Sequence, residues 1–181
     1  MRIMSWSCRG LGKPSVVLQC KKKALDLKPD FLFLMETRLV SGKGQEVWEK
    51  CGFSKGWKIP RVGFSGGLIL AWLPRQGLQV VFYSQNLIHI NLLDNRGFPL
   101  SITFVYGHPD HAKRGVVWQQ LKSLRQWAHP SCLCIGYFNQ ILSIEENFSF
   151  KNGNIIGVED FKQVIRDLQL CDLSVLGQRF T

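Results

Sequence analysis

Phe31-Leu32-Phe33-Leu34-Met35-Glu36-Thr37-Arg38 is the stretch on which the reading of this chain turns. Lys28-Pro29-Asp30 ends the segment before it, and five consecutive apolar residues follow. Such a short unbroken run fits a strand covered on both faces, which requires a layer above the sheet and a layer below it. Glu36 comes directly after the run, so a carboxylate stands at the mouth of a sheet. A carboxylate placed there can hold Mg²⁺ together with several waters. It can equally pair with Arg38 or sit as a solvated strand end, and spacing alone leaves these readings open.

Working outward, Met1–Ser7 reads as a first strand and Ser15 as the cap of a helix that puts Val17, Cys20, Ala24 and Leu27 on one face. Lys21, Lys22 and Lys23 then fall mostly on its solvated side. Residues 44–51 fit a short second helix. Strands are expected near 53–59, 67–73, 78–83, 86–93 and 99–106, the last two joined by the turn Asp94-Asn95-Arg96-Gly97. A helix near 111–128 carries Val117, Leu121, Leu124 and Ala128 on one stripe, and Ser131–Ile135 is another buried strand. Phe161, Val164, Ile165 and Leu168 mark a last helix at i, i+3, i+4, i+7 spacing. No repeat, low-complexity run or linker divides residues 1–181, so one domain is expected. Its element order suits an α/β sandwich of two packed sheets with helices outside.

Composition limits the function classes. Of 181 residues, 45% are hydrophobic and 12% aromatic, which excludes a disordered tail. The longest apolar run, Leu68–Leu73, is far too short to span a bilayer. Ser5, Ser7 and Arg9 interrupt any signal-peptide core, so an intracellular protein, nuclear or cytoplasmic and not secreted, is expected. Its six cysteines, at 8, 20, 51, 132, 134 and 171, form no C-x-x-C pair and read as reduced core residues rather than zinc ligands. The net charge is +10, and residues 1–60 hold 12 basic against 5 acidic residues. This favours a polyanionic partner, nucleic acid ahead of an anionic membrane, unless the charge is simply a solvated surface.

Four strand ends gather the chemistry-bearing residues: Trp6-Ser7-Cys8-Arg9-Gly10-Leu11-Gly12, Glu36-Thr37-Arg38, Tyr106-Gly107-His108-Pro109 and Gly136-Tyr137-Phe138-Asn139. With Ser65-Gly66-Gly67-Leu68, Asn139-Gln140-Ile141-Leu142, Asp172-Leu173 and Arg179-Phe180-Thr181, they resemble the endonuclease/exonuclease/phosphatase superfamily, the deoxyribonuclease I-like fold. The resemblance is strongest to the endonuclease domain of plant LINE-type (non-LTR) retrotransposons. It implies a four-layer sandwich of two mixed sheets flanked by helices, incomplete at the C-terminus. It also implies a Mg²⁺-dependent endonuclease, DNA as substrate, and a reverse transcriptase domain in the ancestral polyprotein. Carried over residue by residue, Glu36 takes the metal-binding position, Tyr106 the phosphate-binding tyrosine, and Asn139 the asparagine of the Gly-Asp-Phe-Asn motif.

Three departures weaken that chemistry. Ser7 stands where the family has the asparagine of Trp-Asn-Cys, and a hydroxyl replaces an amide's carbonyl and two donors. Tyr137 stands where the family has the aspartate that orients or deprotonates water. A phenol, with an ordinary pKa near 10, is a poor base at neutral pH, and its ring is expected to crowd the metal. The family's closing Ser-Asp-His motif would lie beyond Thr181. A lost general base costs on the order of 10²–10⁴ in rate. A lost transition-state hydrogen bond costs roughly 10²–10³. The expected function is therefore a truncated, catalytically inactive relic of an endonuclease. The alternatives are a non-catalytic basic nucleic-acid-binding module and a Mg²⁺ phosphodiesterase with a rearranged site. His108-Pro109-Asp110-His111 resembles a ligand cluster, but Pro109 and the missing i, i+4 spacing disfavour a preformed metal site, and the pair Glu145, Glu146 reads as a solvated acidic turn.

Overall fold

The computed structural model describes residues 1–75, 77–143, 146 and 156–173. Four strands make the first sheet: β1 (Ile3–Ser7), β2 (Phe31–Met35), β3 (Lys55–Ile59) and β4 (Leu68–Trp72), in the order β1-β2-β4-β3. β1 runs parallel to β2, and the other pairs are antiparallel. The second sheet holds β5 (Gln79–Tyr83), β6 (Leu87–Leu93), β7 (Pro99–Tyr106) and β8 (Cys132–Tyr137) in sequence order, with only β7 and β8 parallel. Helices α1 (Pro14–Leu27) and α2 (Gln45–Lys50) cover one sheet, and α3 (Arg114–Ser123) and α4 (Val158–Asp167) cover the other.

Strand periodicity explains the layers. On β2, Phe31, Phe33 and Met35 face the second sheet, while Leu32 and Leu34 pack under α1 and α2. β4 divides in the same way, with Leu68 and Leu70 inward and Ile69 and Ala71 outward. From the second sheet, Ile88, Ile90, Leu92, Ile102, Phe104 and Tyr106 complete the inner layer. The outer side chains Leu87 and Val105 meet Val117, Trp118, Leu121, Phe161 and Val164 from α3 and α4. Helices on both outer faces and one apolar layer between the sheets make the four-layer α/β sandwich that the sequence predicts.

Several details differ from expectation. Ser15 does not cap α1. The helix opens two residues earlier than that cap implies, at Pro14, whose fixed φ suits the first helical position, with Lys13 as N-cap. Leu27 is exposed, because α1 ends there and Lys28 turns left-handed. The predicted helix over 111–128 is a 3₁₀ turn, then α3, then a second 3₁₀ turn. Cys8, Cys20 and Cys51 are buried, but Cys132 and Cys171 are exposed and Cys134 is half-buried. Cys132 and Cys134 lie on a strand at the sheet's edge, where core burial is incomplete. β8 also runs two residues further than expected, through Tyr137, because the ladder to β7 continues to Tyr106.

Candidate functional site

The two parallel strand pairs bring their C-terminal ends to the same end of the sandwich, the usual ligand-bearing side of such sheets. There the Tyr106 hydroxyl donates to Glu36 Oε1 at 2.7 Å, joining the sheets across 70 residues of sequence. Alternation alone would send Glu36 toward α1. A left-handed turn, φ 55°, interrupts the strand and lets the carboxylate reach the inward-facing Tyr106. Arg9 and Arg38 adopt the same region, at φ 52° and 54°. Three such non-glycine residues in touching loops amount to a local cost of order 1–3 kcal/mol each, a pattern that clusters at working sites.

Backbone bonds hold the turn. The Cys8 amide donates to the Met35 carbonyl at 3.0 Å and the Leu11 amide to the Thr37 carbonyl at 2.9 Å, seating the 8–12 loop against residues 35–37. From the other side, Thr37 and Arg38 amides each donate at 3.0 Å to the Gly67 and Gly66 carbonyls. A Cβ on Gly67 would lie 2.5 Å from Thr37 Oγ1, and its φ is +86°, so only glycine serves. The Cys8 thiol is no nucleophile. Burial pushes it up to about 11, and it donates to the Met35 carbonyl at 3.1 Å.

Ser7, Tyr137 and Asn139 complete the cluster. Ser7 pairs with Met35, one residue from Glu36. Tyr137 pairs with Tyr106, and in parallel strands paired residues share a face, so position 137 looks toward the site. Its side chain is 51% exposed. Asn139 is left-handed at φ 54°, as asparagine tolerates, and its Nδ2 donates to the Gly107 carbonyl. It therefore ties the loops after β7 and β8 together rather than bonding its own turn. Burial, then the hydrogen bond and charge of Glu36, push the Tyr106 phenol above the usual tyrosine range, against the opposite pull of Asn139.

All five residues singled out in the sequence thus meet at one mouth. The substitute ligands do not join them. His108 Nδ1 accepts from the Asp110 amide and Asp110 Oδ1 from the Ala112 amide, closing a local capped turn. Glu146 Oε2 accepts from the Leu142 amide. Glu145 and Arg179-Phe180-Thr181 lie outside the described residues. Among the described residues no group of three His, Cys, Asp or Glu is placed to share a metal ion. Glu36 brings a carboxylate, with one oxygen already accepting from Tyr106. That donor set suits a divalent cation poorly. The left-handed backbone at Arg9, Glu36 and Arg38 escaped sequence reasoning. The Gly66-Gly67 pair was the one available signal for the clamp.

No protein-family model matches the sequence, and no curated protein matches it. Solved structures do. The endonuclease domain of TRAS1, a telomere-specific non-LTR retrotransposon, is similar at TM-score 0.64 and 15% identity, over 92% of this chain and 71% of that one. The 3′ phosphatase NExo from Neisseria, bound to a product DNA hairpin, gives TM-score 0.69 and 13% identity over 92% and 71%. An AP endonuclease from Archaeoglobus fulgidus gives 0.65 and 14% over 91% and 68%. At such identities the likeness establishes the fold alone, a deoxyribonuclease I-like α/β sandwich. Among the described residues no helix is long and apolar enough to cross a membrane.

Proposed function

We propose that this chain is a DNA-directed endonuclease-type domain of the LINE retroelement kind in which phosphodiester hydrolysis has been lost. The carrying observation is Tyr137. It pairs with Tyr106 on the face that looks toward Glu36, where the resemblance calls for an aspartate. A phenol at that position is a poor base for a water facing a bound phosphate, and no group of three His, Cys, Asp or Glu gathers there among the described residues. Ser7, at the end of β1, removes the amide that would help orient that phosphate.

What remains supports binding. Tyr106 still donates to Glu36 and Asn139 to the Gly107 carbonyl next to Tyr106, and Arg9 and Arg38 stand in the loops around them. Mg²⁺, which the resemblance implies, finds a poor donor set in the residues described around Glu36. No step depends on it here. The reading is tested by nicking of supercoiled plasmid with Mg²⁺. Wild type and Glu36→Ala are expected to be indistinguishable from background. Clean nicking by the wild type that Glu36→Ala abolishes overturns the loss of activity and favours the rearranged phosphodiesterase.

A further inference from the structure

Three polar side chains stand in one row across the outer face of the second sheet, among apolar neighbours. His89 on β6 pairs with Thr103 on β7, and Thr103 pairs with Cys134 on β8. The same face carries Leu87 and Val105, which pack under α3 and α4. His89 is 1% exposed, and its Nδ1 shares a hydrogen bond of 2.8 Å with Thr103 Oγ1, which fixes the ring. Its Nε2 has no partner among the described residues. A buried ring nitrogen left unpaired is costly and calls for an explanation. The ring lines a cavity of about 430 Å³ whose walls include Leu121, Leu124, Leu168 and Leu170. That cavity reaches Cys132, where β8 begins, whereas the Glu36–Tyr106 mouth lies at the end where β8 stops.

We propose that this cavity binds a small uncharged molecule with one hydroxyl on an apolar body, a phenol or an alcohol, whose hydroxyl meets His89 Nε2. Charge argues against an ionic ligand of either sign. Among the described residues no Asp or Glu lines the cavity to pair a cation. An anion would face the chain just past the C-terminal ends of α4 and of the 3₁₀ turn after α3, where free carbonyls carry partial negative charge. Arg125, on the wall, already donates to the Asp167 carbonyl at 3.1 Å. Burial, then the charge of His129, lower the His89 pKa, so the ring is neutral at physiological pH. A neutral ring bonded to Thr103 presents either an N–H or a lone pair at Nε2, according to its tautomer. A hydroxyl answers both, because it donates as well as accepts. A lone water would satisfy the nitrogen but leave the leucines wetted. An apolar body behind the hydroxyl removes them from water as well, and affinity comes from that burial.

The test uses the 181-residue chain with isotope-labelled histidines and three probes that share one body: p-cresol, toluene and p-toluate. p-Cresol is expected to bind saturably and to shift the His89 Nε2 resonance. It should bind roughly 5- to 150-fold more tightly than toluene, which leaves the buried nitrogen unmet. p-Toluate should bind more weakly than p-cresol. His89→Phe should erase the preference for p-cresol over toluene. Ala128→Met lengthens a side chain on the cavity wall and leaves the imidazole in place, so it should abolish binding of both. Should His89→Phe fail to fold, Ala128→Met and the wild-type resonance decide the matter. Equal affinity of the wild type for p-cresol and toluene would show a merely apolar cavity and overturn the role of His89. Tighter binding of p-toluate would overturn the choice of an uncharged ligand. A His89 resonance that no probe moves would mean that Nε2 is closed off in solution, and the site would be wrong.

Discussion

Tyr106 and Glu36 carry the closest contact between the two sheets' working ends, and its energetics are open to measurement. Tyr106 is 3% exposed and its hydroxyl donates to a carboxylate at 2.7 Å, so the bond is charge-assisted. Tyr106→Phe should cost about 1.5–3 kcal/mol at neutral pH, read from the denaturant midpoint at constant m-value. The sign of the pH effect follows from the raised phenol. The folded protein holds that proton more tightly than the unfolded chain, whose tyrosine loses it near pH 10. The stabilisation is therefore fully present below about pH 10 and is lost as pH rises above it. Wild type should weaken steadily on the alkaline side, and Tyr106→Phe should show a flatter profile there. A parallel pair of profiles would mean that the bond to Glu36 does not persist in solution. Glu36 was legible in the sequence because a charge after five apolar residues is conspicuous. The left-handed turn that aims it was not, since glutamate gives no local signal for that conformation.

At the scale of elements, the β7–β8 ladder decides what faces the site. It is parallel and closely spaced, and two glycines permit the approach. A Cβ on Gly136 would lie 1.9 Å from the Val105 carbonyl oxygen, and one on Gly107 would lie 1.7 Å from that of Phe138. Gly136 also sits at φ +144°. Gly136→Ala should therefore destabilise by roughly 2–4 kcal/mol, combining overpacking with backbone strain. Gly12→Ala, which meets nothing within 4 Å, should be neutral or slightly stabilising. Equal effects of the two substitutions in chemical denaturation would remove the close approach as the cause. Most strands and helices were legible because each carries its period in its own residues, as Phe31–Met35 and Phe161–Leu168 do. The extent of β8 was not. Gly136 reads as a stop, and only pairing with Val105 shows the strand passing through it to Tyr137.

For the molecule as a whole, alternation of buried faces made two sheets with outer helices readable, but not the order of strands within them. β4 inserts between β2 and β3, and nothing local in Leu68–Trp72 distinguishes that from a simple meander. In the second sheet the strands keep their sequence order, which leaves β8 at a margin. Among the described residues no strand pairs with its far side, and a groove of about 620 Å³ runs beside it. Leu133 and Ile135 line that groove from the inter-sheet layer, and Phe138, Phe161 and Ile165 from the helix side. One margin thus opens onto two apolar layers. A strand edge that no described strand pairs, next to half-buried apolar side chains, can recruit further strands, including those of another copy. The 181-residue chain should accordingly self-associate with rising concentration, as followed by sedimentation velocity, and bind a hydrophobic dye while remaining folded. A lysine on such an edge opposes pairing. Cys132→Lys, at an exposed position lining the groove, should reduce association without lowering the melting temperature by more than a few degrees. Association that Cys132→Lys leaves untouched would place the contact elsewhere on the surface. A wild type that stays monomeric and dark to the dye would show that the β8 margin is covered in solution.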